Sequence, residues 1–153
     1  MDEMVLPAIL RIAKAHRVRR AARLAELGLH PGQDSVLLLL AQMRGCSMRE
    51  LAAALGIKAP TITKTVGRLV SAGFVERREV AGDQRKAALD LTAAGEAAAA
   101  CVEALWRALD SDALADFDPE AEAHLRHMLD RIGQNILRGA ADGGGLDGAA
   151  EQA

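Results

Sequence analysis

The spacing of hydrophobic positions divides this chain into segments of different period. From residue 5 to 27, Val5, Leu6, Ile9, Ile12, Ala13, Leu24 and Leu27 recur at helical spacing and predict one amphipathic helix. "GLHPGQ" at 28–33 breaks it with Gly and Pro. A second helix over 33–43 carries "VLLLLAQM", apolar on every side and therefore buried. "SMRE" at 47–50 has the form of a Ser-x-x-Glu capping box, so a short helix follows it and ends at Gly56. Pro60 suits the first turn of another helix, which stops near Gly73. Two short helices about four residues apart, with Gly at the join, have the outline of a helix-turn-helix. The period then drops to two. "FVERREV" and "KAALDL" predict short strands around an "AGDQR" turn. Thr92 can cap the long Ala-rich helix expected over 93–115, and Pro119 opens a last one over 119–138. The Gly-rich segment 139–153 has almost no apolar mass and is expected to be a disordered tail, leaving 1–138 as a single domain.

On a wheel of about 100° per residue, the helix from Pro60 separates cleanly. Ile62, Val66, Leu69 and Val70 form its inward face. Lys64, Gly67, Arg68 and Ser71 lie opposite, Pro60 and Thr61 share the outer half, and Thr63 and Thr65 flank it. No acid occurs from Lys58 to Gly73. Cations and hydroxyls on an acid-free helix face suit phosphates and base edges. A strand pair following such a helix makes a wing. Its tip residue Arg85 would enter the neighbouring minor groove, where negative potential concentrates. Asp83 would orient that arginine or cap the turn, and Arg77, Arg78 and Lys86 would hold phosphates.

Charge supports a local polyanion site. The 153-residue chain has a net charge of −2. Residues 44–91 nevertheless carry nine cations against five acids, and residues 92–153 carry four against twelve. Charge alone would also fit an unevenly solvated surface. Aromatic residues are only 2%, which leaves almost nothing for base stacking. Two cysteines are too few for a disulfide framework and point to the reducing cytoplasm. The acidic N-terminus lacks the basic segment of a secretion signal, and the longest aliphatic run, "VLLLL" at 36–40, cannot span a bilayer, so no membrane role is expected.

The stretch "SMRELAAALGIKAPTITKTVGRLVSAGFVERREVAGDQRKAALDLTAAGEA" resembles the winged helix-turn-helix of the multiple-antibiotic-resistance-regulator (MarR) family. The shared features are the "ELA…LGI" helix, the recognition helix running into "FVERR", the Asp83-Gln84-Arg85 wing motif and the "LTAAGEA" opening of the next helix. They cover about 50 residues, roughly 44–92 being the winged core. The flanking helices match by pattern only. Ala59-Pro60 departs from the acidic or Ser-type cap frequent in the family. The resemblance implies an α+β, mainly α fold, a winged helix-turn-helix with long N- and C-terminal dimerisation helices. It implies a homodimer that binds double-stranded DNA, usually as a repressor. It also implies a small-molecule effector, frequently an aromatic acid or other anion, bound between the dimer helices and the DNA-binding lobe, and no cofactor. The wing arginine of the family matches Arg85.

Other constellations remain open. His16, Arg20 and Arg23 fall in the apolar stripe of the first helix. They would either pair with acids of the C-terminal helices or line an effector pocket and hold a carboxylate. His124, His127 and Asp130 share a helix face and suit either solvent or a metal. Cys46, just before a helix, is either a small packed residue or a redox-sensitive thiol. No phosphate loop, zinc-type Cys pairing or nucleophile elbow is present, so no enzyme is expected. Two rival functions stand beside DNA binding. One is a winged helix used to bind protein, which would need an apolar or acidic patch in place of the basic face. The other is a small-ligand- or metal-binding helical protein.

Overall fold

The structure, a computed structural model, describes residues 4–80 and 83–142, with side chains for 4–78 and 88–139. Its elements are α1 (Val5–Glu26), α2 (Gln33–Gln42), α3 (Met48–Leu55), α4 (Ala59–Ser71), β1 (Val75–Val80), β2 (Asp83–Leu91), α5 (Ala93–Ala113) and α6 (Pro119–Asp142). The fold is the expected mainly helical one, with a single two-stranded antiparallel sheet among the described residues. The chain divides into two compact units, 1–110 and 111–153.

The first unit is built around α2. Val36, Leu37 and Leu40 are completely buried there, between residues contributed by α1, α3, α4, β1, β2 and α5. α3 starts on its capping box. Ser47 Oγ accepts from the Glu50 amide at 3.2 Å, and Glu50 Oε2 accepts from the Ser47 amide at 2.7 Å. The helix ends at Gly56, whose left-handed φ of 64° a Cβ would penalise. α4 buries Ile62, Val66 and Leu69, each contributing about 1.5–3 kcal/mol. In the sheet Val75 pairs with Leu91 and Arg77 with Leu89. Cys46 adds a single bridge to Leu89, whose amide donates to the Cys46 carbonyl at 2.8 Å.

The expected Thr92 cap forms. Thr92 Oγ1 accepts from the Gly95 amide at 3.1 Å. It also donates to the Gly73 carbonyl at 2.6 Å, tying the end of α4 to the start of α5. In the second unit, α6 carries no buried residue among those described, and Met128, Leu129, Ile136 and Leu137 are exposed.

Three expectations are corrected. β2 starts at Asp83 rather than Lys86, because the strands keep pairing beyond a register shift between Glu79 and Val80. α6 continues to Asp142, so helix extends past the predicted tail boundary at 138. Among the described residues, the apolar stripe of α1 is mostly exposed rather than a buried face. Leu24 is buried and Ile9 half-buried, while Val5, Leu6, Ile12, Ala13 and Leu27 are exposed. Periodicity says which side chains share a face, not what covers them.

Candidate nucleic-acid interface

α4 presents the acid-free side of its wheel to solvent. Lys58, Pro60, Thr61, Thr63, Lys64 and Arg68 are exposed and Thr65 is half-buried. The departure at Ala59-Pro60 has a structural counterpart. Lys58 occupies the N-cap and offers no side-chain acceptor to the first turn. The helix therefore meets solvent with an uncapped positive dipole end flanked by a lysine, an arrangement that favours an anion. By contrast, α3 already holds the Glu50 carboxylate at its own N-terminus. The bonds from Ser47 keep that carboxyl below the ordinary glutamate range.

The threonine hydroxyls behave differently from the sequence expectation. Thr63 Oγ1 donates to the Ala59 carbonyl at 2.8 Å and Thr65 Oγ1 to the Thr61 carbonyl at 3.0 Å. Each spends its only proton on the helix backbone, which leaves a lone pair and a methyl for a partner rather than a donor for phosphate. Lys64 and Arg68 are the exposed cationic donors of the helix.

On the hairpin, Arg77 is exposed. Arg78 alternates with it onto the opposite sheet face, beside Glu76 and Asp90. Its Nε donates to Glu76 Oε1 at 2.7 Å and lies 3.5 Å from Asp90 Oδ2, and these acids hold its guanidinium even more firmly protonated. Asp90 also accepts from the Gly45 amide at 2.9 Å. Arg78 is thus exposed but paired with two acids, a pairing its place among basic neighbours did not reveal. The side chains of Asp83, Arg85 and Lys86 lie outside the described residues.

The three candidate effector residues differ in exposure and partners. His16 is exposed on α1. Arg23 pairs with Glu26 at 3.0 Å. Arg20 reaches Asp34 of α2, with Nε 2.9 Å from Oδ2 and Nη2 3.2 Å from Oδ1. The acid that Arg20 required comes from α2 and not from the C-terminal helices. Asp34 is completely buried, and it also accepts from the Gly32 amide at 3.0 Å and from Trp106 Nε1 at 3.2 Å. Sequence reasoning missed it, because an acid in the first turn of a helix looks like an ordinary dipole partner.

Cys46 is buried, and burial together with the Glu50 carboxylate pushes its thiol up. That disfavours the thiolate expected of a redox sensor. Among the described residues no three His, Cys, Asp or Glu side chains are grouped to hold a metal, His124, His127 and Asp130 included. No described helix is long and apolar enough to cross a membrane.

Comparison with known proteins agrees with this geometry. A family model described as MarR family matches residues 27–86. The HTH-type transcriptional regulator BilQ of Clostridium symbiosum is 30% identical over 113 residues, covering 74% of this chain and 78% of that protein. The chain belongs to the MarR family. It is accordingly a non-enzymatic, DNA-binding transcriptional regulator of winged-helix type. An HTH-type transcriptional repressor of Mycobacterium tuberculosis is 29% identical over 127 residues, covering 83% of this chain and 91% of the repressor. A crystal structure of MarR superposes with a TM-score of 0.74 at 26% identity over 92% of this chain and 96% of its own. A mutant MarR from E. coli complexed with operator DNA superposes at 0.73 with 23% identity, over 82% and 91% of the two chains.

Proposed function

We propose that this MarR-family chain acts as a homodimeric repressor on a pseudo-palindromic operator and is released by a small molecule. The carrying observation is the exposed, acid-free face of α4, with its uncapped N-terminus at Lys58, directly preceding a hairpin. The repressor among the relatives and the operator complex of a structurally similar MarR support the same reading. Lys64 and Arg68 are the base readers. Lys58 and Arg77 hold phosphates, and Arg85 enters the minor groove.

Dimerisation rests on the terminal helices. In α1, Val5, Leu6 and Ile12 share one side of the helix and are 51–68% exposed, an apolar stripe that a second copy would cover. Half-sites of the operator should lie about 10 base pairs apart, or at a multiple. An anionic effector would have to compete with Asp34 for the Arg20 guanidinium, so effector binding and rearrangement of that pair are one event.

The test is selection of duplex DNA by the purified protein, followed by a salt series. Enrichment of two inverted half-sites, with affinity falling steeply as salt rises, is expected. Arg85→Ala should lower the slope by about one unit, and Lys64→Ala or Arg68→Ala should cost about 1–3 kcal/mol at one operator position. A monomer at micromolar concentration, or salt-independent binding, refutes the proposal.

A further inference from the structure

A completely buried carboxylate joined to a guanidinium on one helix and an indole on another is a costly way to fill a core. Asp34 Oδ1 accepts from Gly32 N and Arg20 Nη2, and Oδ2 accepts from Arg20 Nε and Trp106 Nε1. Arg20 also lies 5.2 Å from the centroid of the Trp106 ring. The carboxylate therefore has four donors drawn from α1, the α1–α2 turn and α5, while its own backbone belongs to α2. No buried side-chain polar atom is left without a partner among the described residues.

Apolar side chains of similar volume generally stabilise such a position as well or better, because taking the ions out of water offsets most of their attraction. An ionic node adds direction instead. Apolar packing is non-directional, whereas four hydrogen bonds converging on two oxygens from three elements weaken together as those elements tilt or slide apart. α2 is also the helix against which α3, α4 and β2 pack. Its tilt is therefore the tilt of the DNA-contacting lobe, and α1 and α5 are the elements against which that tilt is fixed.

We infer that Asp34, with Arg20 and Trp106, is a positioning device that sets the distance between the two recognition helices and so the operator spacing the protein accepts. This rests on the dimeric-operator reading. The lever arm is adequate. α2 has ten residues and so is about 15 Å long, and a tilt of about 10° moves its far end by about 3 Å. That is close to the rise of one base pair, about 3.4 Å, and two-fold symmetry doubles it.

The experiment uses the full-length protein and its selected operator, with the spacer between half-sites lengthened and shortened by one and two base pairs. Trp106→Phe removes one donor and keeps a ring. Asp34→Asn removes the charge at nearly constant shape. Wild type should lose about tenfold in affinity for one base pair of misspacing. In both variants the penalty should shrink to within about threefold, because a loosened lobe can follow the DNA. The salt slope should stay unchanged, since no phosphate contact is removed. A purely structural node would lower the melting temperature and leave the spacing profile sharp, and that outcome overturns the inference. If Asp34→Asn does not fold, Trp106→Phe decides alone. A wild-type protein indifferent to spacing removes the dimeric reading itself, a failure visible without any variant.

Discussion

Gly95→Ala tests whether the join between the recognition helix and α5 is as tight as the structure shows. A Cβ built on Gly95 would lie 1.9 Å from the Phe74 carbonyl oxygen, 2.9 Å from its carbon and 3.3 Å from Leu91 Cβ. The two closest atoms are backbone, so no rotamer change relieves them. Reaching an ordinary carbon–oxygen separation of about 3.3 Å requires a shift of about 1.4 Å between the first turn of α5 and the strand entry. The bonds from Thr92 N to Phe74 O at 3.0 Å and from Thr92 Oγ1 to Gly73 O at 2.6 Å cross the same gap and would be stretched with it. Overpacking contributes about 1–3 kcal/mol and the strained hydrogen bonds about 1 kcal/mol. The intrinsic helix preference of Ala returns up to about 1 kcal/mol. The net loss is about 1–4 kcal/mol.

Gly67→Ala is the matching control. It also lies within a helix, but an added Cβ meets nothing within 4 Å. It should stabilise the protein by up to about 1 kcal/mol while weakening DNA binding, because the methyl group lies on the side offered to the groove. Urea titrations at one fixed protein concentration read the stabilities, and fluorescence anisotropy on the selected operator reads the affinities. A Gly95→Ala protein as stable as wild type would refute the close approach. Gly67→Ala with undiminished affinity would remove that face from the DNA interface.

Replacing Glu50 by Gln should destabilise the protein near neutral pH. Because the folded carboxyl is held below its ordinary value, the contribution of Glu50 is complete above the unfolded value, about 4.3, and is lost as pH falls through the lower folded one. The two proteins should therefore converge in urea midpoint in acid, and a gap that persists there would count against the capping box. Cys101 is exposed and Cys46 buried with a raised thiol. A thiol reagent at mildly alkaline pH should accordingly label one cysteine at once and the second only on unfolding, and two fast equivalents would contradict the packing of Cys46. Arg20→Ala leaves the buried Asp34 carboxylate without its cation and should cost about 3 kcal/mol by thermal or chemical melting. A neutral effect would mean that the pair is not formed in solution.

Features decided within a few residues of sequence were legible. The capping box needs only Ser47 and Glu50, the stop needs only Gly56, and the cap of α5 needs only Thr92. The two faces of α4 follow from helical periodicity, which separated the core side from the solvent-exposed, acid-free side. The bonds of the Thr63 and Thr65 hydroxyls were not foreseen, because their acceptor, the carbonyl one turn back, belongs to every helix and leaves no mark in composition. The acidic partners of Arg78 were missed for a related reason. Glu76 shares the sheet face of Arg78 by alternation along one strand, but Asp90 is brought there by the register of the hairpin, which the sequence did not specify.

α1 shows the remaining limit, and it bears on how the protein should behave. Its wheel correctly demanded a partner for Arg20, but an acid 14 residues away on α2 cannot be chosen over the many acids of α5 and α6 from pattern alone. The wheel also marked an apolar stripe, and within one chain only Leu24 of that helix is buried among the described residues. Helices draw most of their stability from tertiary packing, and one of 22 residues anchored chiefly at its C-terminal end is marginal in water. Whatever covers Val5, Leu6 and Ile12 therefore contributes to folding itself. With a second copy in that role, association and folding of α1 are a single equilibrium, and the unfolding midpoint should rise with protein concentration. A midpoint independent of concentration, with α1 fully helical, would place the missing cover within the same chain.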